Sequence, residues 1–306
     1  MKRIPAAAAL AAATALLAAT LAPTATAAPQ STAAACGLRI ASVTTGGDLR
    51  VQQITASPPK VTRTFDGPKD LYPAADWRLL SSISTEPDIA GEDRYGYVTI
   101  DNSLYRYSYQ TDGGYADVDP GSYEQTKIGG GWTRGMTYFD TSTQYNSGGT
   151  KVRWNAYSLW DGTLWRWNNG WTGVKLFGGF GAVKAMTLIS QTATYDSFLA
   201  TTQGGALYTI RIPVGSGAVP VVKPVRTRTW QGFETLIAEK CGSQSTLLLG
   251  IDKDTNSAYL YAVSHANGTA TVIQGLGKVS GGTFTDVIYS RAWANSLDAV
   301  SNLNGE

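Results

Sequence analysis

One histidine, two cysteines and three methionines in 306 residues leave little material for several kinds of chemistry. A lone histidine, His265, cannot build a site of the His/Cys type that binds zinc. No serine or cysteine beside it marks a nucleophile motif, and His265-Ala266-Asn267-Gly268 is turn material. Charged residues are also scarce, at 16%. Beyond residue 22 no segment approaches the ~20 apolar residues that cross a bilayer, so no membrane insertion is expected. Glycine (34), tyrosine (16) and tryptophan (9) are plentiful instead. Gly-rich turns between aromatic and β-branched runs are the composition of strands and tight turns.

The N-terminus has the three zones of an export signal. Lys2 and Arg3 supply the positive end, residues 4–22 are nearly all Ala and Leu, and Ala25-Thr26-Ala27 is a small-x-small cleavage signature. Residues 1–27 therefore read as a signal peptide, 28–35 as a short disordered linker, and the mature protein as secreted. Removing Lys2 and Arg3 from 25 cationic residues leaves 23, equal to the 23 acidic ones. A neutral protein has no counterion-release drive toward nucleic acid and no basic face for anionic lipid.

An even cysteine count in an exported chain points to a disulfide between Cys36 and Cys241. Lipidation of Cys36 is the alternative. It would leave Cys241 unpaired, and residues 32–35 lack the Leu or Val usual before a lipidated cysteine.

One unit recurs five times. An alternating strand meets a Gly/Asp/Asn turn, and a second strand follows. The copies run from Ile40 to Ile54, Tyr95 to Tyr109, Trp154 to Trp167, Ser197 to Ile212 and Leu247 to Val263. Each reads as a β-hairpin with one buried face. A corner follows: Gly129-Gly130-Gly131-Trp132, Gly178-Gly179-Phe180, Trp230-Gln231-Gly232-Phe233 and Gly281-Gly282-Thr283-Phe284, with a degenerate first copy from Asp66 to Trp77. An apolar strand succeeds each corner. Four strands per unit and five units predict an all-β fold, a five-bladed β-propeller over residues 36–293 with a C-terminal tail at 294–306. A single four-stranded sheet cannot cover both of its faces, whereas radial stacking can. A β-sandwich offers no reason for the repeated corner. The first unit lacks its inner strand, so 285–291 is expected to pair with the strand near 39–43 and close the ring. Thr141 to Arg153 reads as a long polar insert.

The corner, the apolar strand and the Asp-Gly-x-Leu-aromatic hairpin together resemble the tachylectin-type five-bladed β-propeller lectins. The resemblance is best from Ile128 to Arg211, through IGGGWTRGMTYFD, SLWDGTLWRW, FGGFGAVKAMTLIS and TTQGGALYTI. It implies a non-catalytic protein that binds glycans of the N-acetylglucosamine type in shallow pockets between blades. Here the copies are diverged and the first lacks its corner, which puts the equivalence of the pockets in doubt.

Sugars present C–H faces that flat rings can cover. The corner rings Trp132, Phe180, Phe233 and Phe284 are therefore the candidate ligand-binding residues, with packing between blades as their other use. The dense run Trp160, Trp165, Trp167 and Trp171 invites the same two readings; Trp165 and Trp167, two apart on a strand, share a face. Asp252-x-Asp254-x-Asn256 begins like a calcium loop but lacks the distal bidentate Glu, so a plain turn is expected and no metal or cofactor is assigned. A glycosidase would need two facing carboxylates. The starts of the inner strands offer Asp76, Glu234 and Asp286, mixed with Arg134 and Lys184, which suits a paired rim better than a catalytic pair. The expectation is a lectin and no enzyme; a protein-binding subunit of a secreted complex is the alternative, and a glycosidase the next.

Overall fold

The computed structural model describes residues 36–69, 77–87, 91–112, 118–119, 121–132, 135–294 and 302–306, without the side chains of 77, 78, 87, 293 and 294. The signal peptide and linker assigned to residues 1–35 lie outside them, as do Asp76 and Arg134.

Three four-stranded antiparallel sheets follow one another along the chain. The first holds β9 (Met136–Tyr145), β10 (Lys151–Trp160), β11 (Thr163–Asn168) and β12 (Thr172–Phe177). The second holds β13 (Val183–Gln191), β14 (Tyr195–Thr202), β15 (Leu207–Pro213) and β16 (Val221–Arg226). The third holds β17 (Thr235–Cys241), β18 (Ser245–Asp252), β19 (Ser257–Val263) and β20 (Ile273–Lys278). The remaining strands form a nine-stranded sheet that divides at a short parallel contact between β21 (Ile288–Ala294) and β5 (Ile83–Pro87). On one side of that contact β21 is followed by β1 (Gly37–Val43), β2 (Leu49–Ala56) and β3 (Pro59–Asp66). On the other, β4 (Trp77–Leu80) and β5 both pair with β6 (Glu92–Ile100), which is followed by β7 (Ser103–Thr111) and β8 (Glu124–Gly130). The two ends of the chain thus meet: Ile40 pairs with Arg291 and Val43 with Ile288.

Burial explains the sequence pattern of each strand. β13 and β14 are buried almost throughout, whereas the fourth strands β8, β12, β16 and β20 are mostly exposed. A strand covered on both faces needs a continuous apolar run. An edge strand needs charge or proline to discourage further pairing, and β16 carries Lys223 and Pro224. First strands succeed one another in space: β9 lies beside β13, β13 beside β17, β17 beside β21, β21 beside β4, and β4 beside β9. An apolar core fills each gap between neighbouring sheets, for instance Leu38, Ile54, Leu249 and Leu260 between β1–β3 and β17–β20.

Each corner drops one ring into one of those cores. Trp132 joins Met136 and Phe139, Phe180 joins Leu164 and Met186, Phe233 joins Leu236 and Trp230, and Phe284 joins Ile237 and Tyr289. Where the corner is degenerate, Phe65 lies in the core between β1–β3 and β5–β7. The backbone makes the same move three times: the N–H of Trp132 donates to the Asn102 carbonyl, that of Phe180 to the Gly162 carbonyl and that of Trp230 to the Gly205 carbonyl, so each of these corners caps the hairpin turn of its own sheet. Gly131 and Gly179 take φ of 87° and 94° to allow it, a region closed to most L residues.

The polar insert is a correction. Thr141 to Tyr145 and Lys151 to Arg153 extend β9 and β10 as a paired hairpin, so only the turn at 146–150 is irregular. Its polarity is matched by a buried polar cluster. Asp196 of β14, fully buried, accepts from Ser142 Oγ (2.6 Å), Arg153 Nη1 and Nη2 (2.6 and 2.7 Å), Asn155 Nδ2 (3.1 Å) and Tyr157 Oη (2.6 Å). A buried carboxylate is tolerable only when so satisfied.

Cys36 and Cys241 are bonded, with Cα atoms 5.6 Å apart. The bond ties the residue before β1 to the end of β17. Residues 302–306 cross the ends of the first strands: Leu303 O accepts from Gln191 N, Gly305 N donates to Ile189 O, and Asn302 Nδ2 donates to the Tyr145 carbonyl.

Candidate functional site

All four corner rings are buried: Trp132, Phe180, Phe233 and Phe284 are 7%, 7%, 8% and 1% exposed. Rings so covered serve packing between sheets, the other use the sequence offered for them. Trp132 stacks on Trp167 at 5.4 Å and meets Phe139 edge-on at 5.1 Å. Trp165 and Trp167 do share a face, with centroids 5.8 Å apart, and Trp160 lies against Trp165. This aromatic column lines the gap between β4–β8 and β9–β12.

Of the carboxylates named for a catalytic pair, the two among the described residues, Glu234 and Asp286, are occupied. Glu234 accepts from Lys184 Nζ at 2.6 Å and from the Lys253 N–H at 2.8 Å. Asp286 accepts from Ser42 Oγ at 2.6 Å and lies 3.3 Å from Arg50. Asp252 accepts from Thr255 N–H, as a turn residue does. His265 is exposed. Among the described residues no group of three His, Cys, Asp or Glu could hold a metal ion.

Among the described residues, two places stand out where a ligand could sit. One is a cavity of about 360 Å³ among the first strands β4, β9, β13, β17 and β21. Asp140 in its wall accepts from Ser82 N–H (2.9 Å), Ser82 Oγ (3.0 Å) and Thr141 N–H (2.8 Å). Burial pushes its carboxyl above the usual range, and the Arg291 charge pulls the other way.

The other is a groove of about 650 Å³ between β5–β7 and the extended β9–β10 hairpin. Strand period places its lining. Asp93, Tyr95 and Tyr97 alternate on β6, and Arg106, Ser108 and Gln110 on β7, all toward the groove. The opposite faces of these strands bury Arg94, Val98, Tyr107 and Tyr109. Thr141, Thr143 and Tyr145 alternate on β9 as the facing wall. On β10 a register shift between Lys151 and Arg153 brings Lys151 and Trp154, three residues apart, to the same groove. Such a shift is how a bulge re-aims side chains.

The groove mixes flat rings with hydrogen-bonding groups already ordered by one another. Tyr95 Oη donates to Glu86 Oε1 at 2.7 Å and Gln110 Nε2 to Asp93 Oδ1 at 2.8 Å. The Arg106 guanidinium lies 5.4 Å from the Tyr95 ring centroid. Burial raises the Tyr95 and Tyr145 phenols above their ordinary value. Next to it a hollow of about 340 Å³ shares Tyr97, Lys151 and Trp154 and adds Asn169, Gly170 and Trp171. The groove residues Tyr95, Tyr97, Tyr145 and Trp154 were not among the sequence candidates. The available signal was the Asp93-x-Tyr95-x-Tyr97 alternation, which puts rings on the polar side of a hairpin.

The architecture defines an all-β protein of four-stranded antiparallel sheets with a polar, aromatic groove. The sequence matches no family profile and no curated protein. Among solved structures it is similar to the catalytic domain of a Coprinopsis cinerea α-L-arabinofuranosidase, with 17% identity over 69% of this chain and 71% of that one and a TM-score of 0.44. It is similar too to an exo-1,5-α-L-arabinanase from a bovine ruminal metagenomic library (11%, 78% and 93%, 0.42). A third is the SapL1 lectin in complex with α-methyl fucoside (13%, 82% and 80%, 0.41). At this level of overlap none of their activities transfers to this chain.

Proposed function

We propose that the mature chain is a secreted five-bladed β-propeller that binds carbohydrate and performs no chemistry, with the groove between β6 and the β9–β10 hairpin as its binding site. The observation that carries the reading is the groove's lining, where the rings of Tyr95, Tyr97, Tyr145 and Trp154 stand beside Glu86, Asp93 and Gln110. Rings cover the C–H faces of a sugar while carboxylates, amides and phenols take its hydroxyls. The five-blade count is supported by the succession of first strands and by the β1–β21 pairing. On this reading the cavity among the first strands is the propeller's central channel. The disulfide suits an oxidising compartment.

N-acetylated sugars are the first ligands to test, on the resemblance to tachylectin-type lectins. Residues 28–306 on a glycan array, with a reducing-sugar assay beside it, test the reading. The expected outcome is retention of a glycan without release of sugar. Trp154→Ala should weaken binding by about tenfold, equivalent to ~1.4 kcal/mol. Release of sugar would move the function to a glycosidase, and silence in both assays would move it to a protein partner.

A further inference from the structure

We infer that the groove and the hollow beside it form one extended cleft that takes an unbranched oligosaccharide over at least two sugar units, with Trp154 at the junction and Trp171 and Asn169 in the second subsite. The inference rests on the carbohydrate reading above. Three observations carry it. The two spaces, about 650 and 340 Å³, adjoin, with Tyr97, Lys151 and Trp154 lining both. Each is the size of a small-molecule site, roughly 300–1,000 Å³, so one sugar ring leaves much of the pair unfilled.

The second space is also built differently from the first. Tyr97, Trp154 and Trp171 meet there at steep angles, with centroids 5.2 Å apart for Trp154 and Trp171 (71°) and 5.5 Å for Tyr97 and Trp171 (79°). Asn169 Oδ1 accepts from the Trp154 N–H at 2.9 Å, which ties the two subsites through one backbone position.

The third observation is backbone strain. Trp171 has φ of +65°, directly after Gly170 at +69°. A bulky residue in the left-handed region is an outlier and persists only where the surroundings over-determine it, typically at a binding or catalytic site. The indole also packs on Trp132, Phe139 and Trp167. The strained turn is what sets the indole against Tyr97 and Trp154 at the end of the cleft.

Calorimetry on residues 28–306 tests this with linear homo-oligomers of N-acetylglucosamine, xylose and arabinose, one to four units each. In the series that binds best, affinity should rise at least tenfold between one unit and three. Trp171→Asn, which suits the left-handed turn, should abolish the rise, costing the three-unit ligand far more affinity than the one-unit ligand. Near-ultraviolet circular dichroism checks that the aromatic core keeps its fold, and Trp171→Phe, which keeps a ring in that core, should reduce the rise in the same direction if it does not. Trp154→Ala should weaken every member. Equal affinity for one and three units, or a length dependence untouched by Trp171→Asn, overturns the extended cleft and leaves the carbohydrate reading standing. If no member binds, the cleft is overturned; if the glycan array is blank as well, the carbohydrate reading falls with it.

Discussion

Trp132, Phe180, Phe233 and Phe284 do the same work in four different gaps: each closes a core between two sheets that the chain alone, without a wedge, would leave open. Trp132 is the largest of them and touches Phe139, Trp167 and Trp171. Replacing it with alanine leaves a cavity, for which buried Trp→Ala changes cost ~3–5 kcal/mol. Trp132→Ala should therefore lower the denaturant midpoint strongly, and any effect on binding should follow the loss of fold. The Gly-Gly-aromatic corner was readable from sequence because it is local. The destination of its ring was not, because the covering side chains Phe139 and Trp167 come from a sheet that starts after the corner.

Hairpins were the easiest elements to read, since alternation and turn chemistry lie within a dozen residues. At Asp161-Gly162 the φ values are 45° and 75°, the left-handed pair that a two-residue hairpin turn needs. A Cβ on Gly162 would also come within 2.7 Å of Gly181 Cα. Gly162→Ala should cost more than ~1 kcal/mol, whereas Gly129→Ala, with nothing within 4 Å of the added carbon, should be near neutral; paired thermal melts would compare them. The extension of β9 and β10 was missed because its residues are polar on both faces. One face is polar toward the groove, and the other toward Asp196 of the neighbouring sheet. Period alone cannot separate such a strand from a loop, because the partners that give each face its meaning are remote in sequence.

At the scale of the molecule the disulfide joins residues 205 apart. Chain-entropy models assign a loop of that length roughly 5 kcal/mol, and measured values often fall short. Replacing Cys36 and Cys241 together by serine should lower the unfolding free energy by an amount up to that figure, read from urea unfolding. The strand pairing between β1 and β21 has a consequence for time as well as for stability. Ile40 meets Arg291, so a strand made early has no inner neighbour until the chain is almost complete. During synthesis β1 is a bare edge, open to pairing with a neighbouring chain. Contacts of such sequence separation also slow folding. Completion of the last sheet is then a late event in folding, and until it happens the exposed edge of β1 is the part of the protein most open to mispairing.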